Sequence, residues 1–360
     1  MIVYLGVTAL TIALSLLVRK NQCVSYGPVE CKQQVRNQYA LFTIFLVLFL
    51  VAALRYYVGN DYLAYLNIFE NIYVERTVST EIGFNSVVRF YQLLFGQSTF
   101  IPIFATISGI TIYFMLKALY EQLDWFFYGF LLFMLTGFYL MSLNTIRYYA
   151  ALGIVMYSIK YLQKKDYLPF CLYVGLAASL HKTAIVVIPA YWFLNRKWGK
   201  IEYAIIGMGT LSLIVLEDFY RSIIFKFYPF YEGSIYDVDT VSVFNIAKCV
   251  CILAFALFFY KRVKEDALLS FYFKLNLSGL VIYVCCTYIP VVSRVAYYFI
   301  WPQIFLVTNL VAKMKKGWFK TICIVGITLA YVLFFVLFLQ EASGTALRIL
   351  PYQTWIGVDL

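Results

Sequence analysis

Charge is the scarcest thing in this sequence. Asp, Glu, Lys and Arg make up 13% of its 360 residues and hydrophobic residues 63%, where a water-soluble domain carries ~25% charged and ~45–50% apolar. Histidine is scarcer still, with a single copy at His181. So little charge excludes soluble enzyme folds, nucleic-acid binders and secreted scaffolds together, and makes the chain an integral membrane protein. A bilayer-spanning helix takes ~20 residues, so a dozen use ~240 and leave about a third of the chain for loops. That is too little for a separate soluble domain.

Patterned chemistry is lacking too. The eight cysteines (Cys23, Cys31, Cys171, Cys249, Cys251, Cys285, Cys286 and Cys323) follow neither a zinc spacing nor a disulfide framework. Without a Walker loop, a GxGxxG fingerprint or a Ser-His-Asp order, NTP-driven pumps, dinucleotide enzymes and serine hydrolases drop out. With one histidine and no carboxylates paired at helical spacing, neither a metal nor a cofactor is expected. Met1 leads directly into an apolar run with no basic n-region and no small-residue cleavage site, so no removable signal peptide is expected.

What the chain does have is apolar runs, at roughly 1–18, 39–57, 98–118, 124–142, 144–162, 167–181, 183–195, 201–217, 243–260, 268–288, 292–312 and 318–339. They predict an all-α, polytopic membrane protein of about twelve transmembrane helices, or thirteen if residues 82–95 (IGFNSVVRFYQLLF) also cross. No repeat or linker interrupts residues 1–360, which read as one membrane domain with outer segments at 56–97 and 218–242. The net charge of +11 reads as topology, because Lys and Arg accumulate in cytoplasmic loops. Placing the basic loops around Arg19/Lys20, Lys164/Lys165, Arg196/Lys197, Lys261/Arg262 and Lys313/Lys315/Lys316 inside gives a consistent alternation with both termini outside.

Under that threading the cations sort by type. Nineteen lie inside, and only Arg19, Arg36, Arg196 and Arg262 among them are arginine. Ten lie outside, and seven are arginine: Arg55, Arg76, Arg89, Arg147, Arg221, Arg294 and Arg348. Topology needs only positive charge, which lysine supplies. Guanidinium adds planar, bidentate recognition of phosphate or carboxylate. Arg55, Arg147 and Arg294 stand at outer ends of apolar runs and Arg348 in the outer tail, where together they suit a pyrophosphate; singly, each also suits snorkelling to headgroups.

His181 falls at an outer turn, in Leu180-His181-Lys182-Thr183. An imidazole there suits a general base, or else a hinge residue that caps a helix. Asp61, Glu70 and Glu81 lie in the outer segment 56–97, suited to orient hydroxyls or arginines; Asp61 also suits a plain turn after Gly59. In the 218–242 loop, Arg221, Tyr228 and Tyr231 belong to a mix of aromatic and charged groups of the kind that stacks on sugar rings.

The succession Arg55-Tyr56-Tyr57-Val58-Gly59-Asn60-Asp61-Tyr62-Leu63-Ala64-Tyr65, Glu81-Ile82-Gly83-Phe84, Asn144-Thr145-Ile146-Arg147-Tyr148-Tyr149-Ala150, Ser179-Leu180-His181-Lys182-Thr183-Ala184 and Pro351-Tyr352 resembles the EpsG-type branch of the Wzy-class bacterial polysaccharide polymerases. The resemblance runs from about residue 36 to 355. Gly-Asn-Asp stands where the family often has Gly-Thr-Asp. The resemblance implies a GT-C-like glycosyltransferase of the bacterial inner membrane, making O-antigen, capsule or exopolysaccharide. It would join undecaprenyl-pyrophosphate-linked repeat units at the periplasmic face, donor to acceptor, with a chain-length regulator as a partner. His181 would be the base, the outer arginines would hold pyrophosphate, and Asp61, Tyr62, Tyr65, Glu81, Asn144 and Tyr352 would line the substrate.

Two other classes compete with this one. A lipid-linked oligosaccharide flippase or transporter needs cations buried mid-membrane and no single histidine. A membrane acyltransferase that modifies surface glycans uses a histidine, but it needs a polar path to the inner face. The Lys-rich inner loops offer little of that kind.

Overall fold

The structure is a computed structural model describing residues 1–20, 28–97, 100–234, 237–239, 241–342, 344 and 347–356. Cys23 and the loop positions Ile235, Tyr236 and Thr240 lie outside that set. Away from water, backbone N–H and C=O groups must pair within their own segment, and apolar runs do so by winding into helices. The described residues form α1 (Ile2–Ser15), α2 (Pro28–Ala53), α3 (Tyr62–Tyr73), α4 (Ile82–Phe95), α5 (Ile101–Gln122), α6 (Phe126–Leu135), α7 (Phe138–Met141), α8 (Ile146–Gln163) and α9 (Tyr167–Leu180). There follow α10 (Val187–Leu194), α11 (Lys200–Val215), α12 (Glu217–Phe227), α13 (Val243–Phe258), α14 (Tyr260–Glu265), α15 (Ala267–Cys285), α16 (Ser293–Ile300), α17 (Gln303–Ala312) and α18 (Trp318–Glu341). No strand occurs among the described residues, only one isolated antiparallel bridge between Arg55 and Thr354.

Five of these stretches are long and apolar enough to cross a membrane: Lys32–Ala53 of α2, α5, α15, the continuous Ser293–Ala312, and α18. The pair α11 and α12, bent by 81°, makes a sixth if it is one broken span. The chain is therefore an integral membrane protein, as expected. Each of the twelve apolar runs falls on helix, but α1, α6, α9, α10 with its preceding turn, and α13 are shorter apolar helices of 10–17 residues. The run at 124–142 breaks at Gly137, whose backbone is left-handed (φ +72°). Residues 82–95 form the 14-residue α4, which is shorter than the ~20 residues of a full crossing. It buries Phe84, Val88 and Gln92 while leaving Ile82, Phe90, Leu93 and Leu94 exposed.

The chain divides into two compact units, Met1–Ile185 with Val311–Leu360, and Val186–Leu310. In the first, α8 is the central element. It buries residues around its whole circumference, from Ile146 to Leu162, and packs chiefly on α5 and α9. Arg147 opens α8 and Lys160 stands near its end, which a rise of ~1.5 Å per residue puts ~20 Å apart. The ends of this unit therefore differ chemically. At the Lys160 end, Lys160 bonds Glu121 at 2.6 Å, Lys20 donates to the carbonyls of Glu121 and Leu123, and Lys313 faces Asp124 at 3.4 Å. The other end holds Arg55, Arg147 and His181.

The second unit has an apolar core of Cys249, Tyr283, Cys286, Val292, Ala296 and Ile300. Its interior polar groups are mostly neutral and satisfy one another: Gln303 donates to Asn276 Oδ1 at 2.6 Å, and Asn276 Nδ2 to the Cys249 carbonyl at 3.1 Å. α15 starts where the Asp266 carboxylate accepts from the amides of Leu268 and Leu269, a side-chain cap for otherwise orphaned donors.

Candidate active site

The Arg/His end of the first unit is assembled from five segments far apart in sequence. α2 stops at Ala53 rather than continuing to residue 57, because Tyr57 (φ 54°) and Gly59 (φ 98°) adopt left-handed backbone. The freed segment pairs with the chain's end: Tyr56 N–H donates to the Gln353 carbonyl, Gly59 N–H to that of Arg348, and Trp355 N–H to that of Leu54. A side chain at position 59 would place its Cβ 2.8 Å from the Leu143 carbonyl oxygen and 3.0 Å from Asn144 Cα. Glycine is what lets the 55–65 motif lie against the turn before α8. Asn144 Oδ1 then accepts from the Asp61 amide at 2.8 Å, and Thr145 Oγ1 donates to Asp61 Oδ2 at 3.1 Å.

Arg147 forms an ion pair with Glu81 Oε2, and Glu81 Oε1 accepts from the Lys182 backbone N–H at 3.1 Å. One carboxylate thus holds both the guanidinium and the turn that carries His181. The turn forms because His181 is extended (φ −153°, ψ 110°) and ends α9. The approach is close, since a Cβ on Gly83 would lie 2.3 Å from Ser179 Oγ and 2.7 Å from its carbonyl oxygen. His181 is 6% exposed, its Nδ1 lies 2.7 Å from Thr183 Oγ1, and its ring meets Tyr148 edge-on at 5.2 Å. Arg147 lies over the rings of Phe84 (5.3 Å) and Tyr65 (5.9 Å). Burial pushes the Tyr65 phenol up, against the opposing pull of Arg147.

Arg55 is 1% exposed, so it does not reach headgroups by snorkelling. It donates to the Ala52 carbonyl and to Ser108 Oγ, and its guanidinium stacks 4.9 Å from the Phe104 ring centroid. Its Nε and Nη2, the Tyr62 hydroxyl and the Arg147 Nε are buried without a hydrogen-bond partner among the described residues. A buried donor left unpaired costs about 1–3 kcal/mol. The two arginines thus hold donor capacity that the described residues do not use.

Other expected residues bind the frame. Tyr352 donates to the Val51 carbonyl at 2.9 Å and packs edge-on against Tyr4. The Arg348 side chain is exposed, while its carbonyl takes the Gly59 amide.

Arg221, Tyr228, Tyr231 and Arg294 belong to the second unit. There Arg294 Nη1 donates to the Tyr231 hydroxyl at 2.9 Å, and Tyr228 and Tyr231 lie with ring centroids 5.9 Å apart. Arg221 is engaged by Asp237 at 2.5 Å and by Asp239 at 3.9 Å. The Gly233 amide and the Arg221 guanidinium hold the Asp237 carboxyl below the usual range. Thr183, Tyr148, Phe84 and Thr145 stand in the sequence motifs without an expected role, and Ser108 stands in none of them. The Thr183 hydroxyl had a readable signal, being two residues after a turn histidine. Ser108 had none, because only packing of α5 brings it to Arg55.

Among the described residues no group of three or more His, Cys, Asp or Glu stands together to hold a metal. A helical membrane protein with a buried Arg55, a partly buried Arg147 and its one histidine gathered at one end of a unit is a frame suited to an anionic substrate. The model of the EpsG family matches residues 38–354, and the chain belongs to that family, the family of Wzy-type polysaccharide polymerases. No curated protein and no solved structure matches the chain. Membership implies a polysaccharide polymerase role acting on lipid-linked glycans in a membrane.

Proposed function

We propose that this protein is an inverting glycosyltransferase that joins undecaprenyl-pyrophosphate-linked oligosaccharide repeat units on the periplasmic or outer face of the inner membrane. The observation that carries the reading is Glu81, which bonds Arg147 through one oxygen and the backbone beside His181 through the other. A basic nitrogen and an anion-binding fork are thereby fixed within one polar cluster. In the proposed step an acceptor hydroxyl attacks the anomeric carbon of the donor. His181 Nε2 takes the proton, and the anomeric C–O bond breaks with its electron pair leaving on the pyrophosphate. Thr183 at Nδ1 orients the ring for that task.

The donors on Arg147 Nε and Arg55 Nε and Nη2, unpaired among the described residues, suit phosphate oxygens, and an anion there would offset their burial. Arg348 joins them as a proposed anion-binding residue of the first unit, and Arg294 is proposed in the same role within the second. Asp61, Tyr62, Tyr65, Glu81, Asn144 and Tyr352 shape the acceptor side in this reading, with Tyr228 and Tyr231 as a sugar-stacking pair. A GT-C-like arrangement of about twelve spans, acting as one membrane domain, belongs to the same proposal. So does service to O-antigen, capsule or exopolysaccharide under a chain-length regulator. A pyrophosphate leaves readily, so one base and several cations suffice without a general acid or a metal.

The flippase reading asks for cations buried mid-membrane and no single histidine. Lys274 of α15 is buried, with its Nζ held by the carbonyls of Leu194 and Arg196, so the dependence on His181 is what separates the two readings. The deciding experiment incubates purified protein with lipid-pyrophosphate-linked repeat units. Longer chains from the wild type and none from His181→Ala are expected. Equal chain growth by both removes His181 as the base, and no growth by either removes the polymerase reading.

A further inference from the structure

The Lys-rich end of the first unit contains a cavity that the polymerase chemistry does not use. It has a volume of about 590 Å³ and is lined by Asp124, Trp125, Ala312, Lys313, Lys316 and Lys320. Three ammonium groups face one carboxylate, and that carboxylate is already engaged by Lys313 at 3.4 Å. Lys320 is held in place by the carbonyls of Ala312 (3.1 Å) and Met314 (3.3 Å), with its Nζ 5.8 Å from the Trp125 ring centroid. Lys316 makes no ion pair or hydrogen bond among the described residues, and it is exposed. The cavity therefore keeps two positive charges after its internal pairing, one fixed and one free to close on an occupant.

The route into the cavity identifies the occupant. The cavity lies at the foot of α18, the most apolar span, of which only 11% is buried. Ile322, Val325, Leu329 and Leu333 of that helix are exposed. In an integral membrane protein this surface faces acyl chains. Trp318 is 76% exposed and Phe319 40% at the level of the lysines, the position of aromatic anchors at a membrane–water interface. An occupant with two tails along α18 and a phosphate among the lysines meets every one of these features. A soluble anion uses only the lysines.

We infer that this cavity is a binding site for the headgroup phosphate of an anionic phospholipid, with Lys316 and Lys320 as its charge partners and Trp125 as its wall. The class follows from charge: a zwitterionic lipid would bring an ammonium to a site whose carboxylate already has a partner. Basic pockets at helix ends hold anionic lipids for the same reason, each lysine near the surface adding about a fivefold factor in affinity. The site does not depend on the polymerase reading.

The test is native mass spectrometry of the full-length protein in detergent, titrated with phosphatidylglycerol, phosphatidylcholine and phosphatidylethanolamine of identical acyl chains, and separately with inorganic phosphate. Preferential retention of phosphatidylglycerol is expected, by about tenfold or more over the other two. Lys316→Gln, which removes no internal bond, is expected to cut that preference roughly fivefold, and Lys316→Arg to restore it. Because Lys320 also secures two carbonyls, Lys320→Gln is read only beside a thermal melt that matches wild type. Equal retention of the three lipids, or a preference unchanged in Lys316→Gln, overturns the proposal. Inorganic phosphate bound as tightly as phosphatidylglycerol overturns the lipid assignment, and a preference for phosphatidylethanolamine overturns the charge argument.

Discussion

The two units handle polarity in opposite ways. The first, Met1–Ile185 with Val311–Leu360, buries Arg55 and His181 at one end and draws residues 55–61, 81, 144–147, 181–183 and 347–355 together to do so. The second, Val186–Leu310, satisfies its interior with amides, a thiol, tyrosines and one lysine, Lys274, held by two backbone carbonyls, and places its arginine contacts on α12 with the segment after it and at the start of α16. Membrane interiors tolerate a cation only where a function or a partner compensates it. The first unit therefore holds groups whose cost calls for a ligand. In the second, Arg221 of α12, Arg294 of α16 and the buried Lys274 of α15 have found protein partners.

The strongest way to break this contrast is His181→Ala. If the first unit holds the chemistry, the surface polymer falls to single repeat units, a loss of ~10²–10⁴-fold in rate, while membrane insertion is kept. A normal polymer ladder on a gel would reassign His181 to a turn. Next in size are Arg147→Lys and Arg294→Lys, which keep charge and remove the fork. A drop of about tenfold or more in chain growth is expected for Arg147→Lys, whose Nε lacks a hydrogen-bond partner among the described residues. A smaller drop is expected for Arg294→Lys, whose Nη1 is already on Tyr231. A loss at Arg294→Lys equal to that at Arg147→Lys would show that the Tyr231 contact does not occupy the Arg294 fork.

Gly83→Ala tests the close approach that holds the histidine turn. A methyl group 2.3 Å from Ser179 Oγ forces α4 and α9 apart, at about 1–3 kcal/mol for an overpacked contact. A lowered melting temperature is expected together with weakened activity. Smallest is the pH response of the second unit's loop. The folded Asp237 carboxyl lies below its ordinary value, so its contribution is present above the unfolded pKa of about 4 and is lost as pH falls through the lower, folded one. Hydrogen exchange at the Gly233 amide, which donates to Asp237, is expected to lose protection on acidification and in Asp237→Asn. Unchanged protection in both would show that the loop holds without this carboxylate.

Much of this was legible in the chain. The apolar runs fall on helices because period and composition act locally. Arg147 and Lys160 stand at opposite ends of α8, a separation that helix rise alone dictates. Helix length was less legible, because a run such as 124–142 hides a break at Gly137, whose left-handed backbone lies where an added Cβ would meet the Phe338 ring. Arg55 read as an interface residue, since nothing local reveals that residues 347–355 fold back to pair with residues 54–60 and bury it.

By itself the sequence determined that the chain lives in a membrane, that it is helical, and which scarce ionisable residues stand at the ends of its helices, because hydropathy and helix period are properties of short segments. The tertiary structure decided which of those ends meet. It set Glu81 between Arg147 and the His181 turn, gave Arg221 to Asp237, and left donors of Arg55 and Arg147 without partners among the described residues. Those outcomes depend on contacts across tens to hundreds of residues, set by packing and by the need to pair buried polar groups, and no local pattern encodes them.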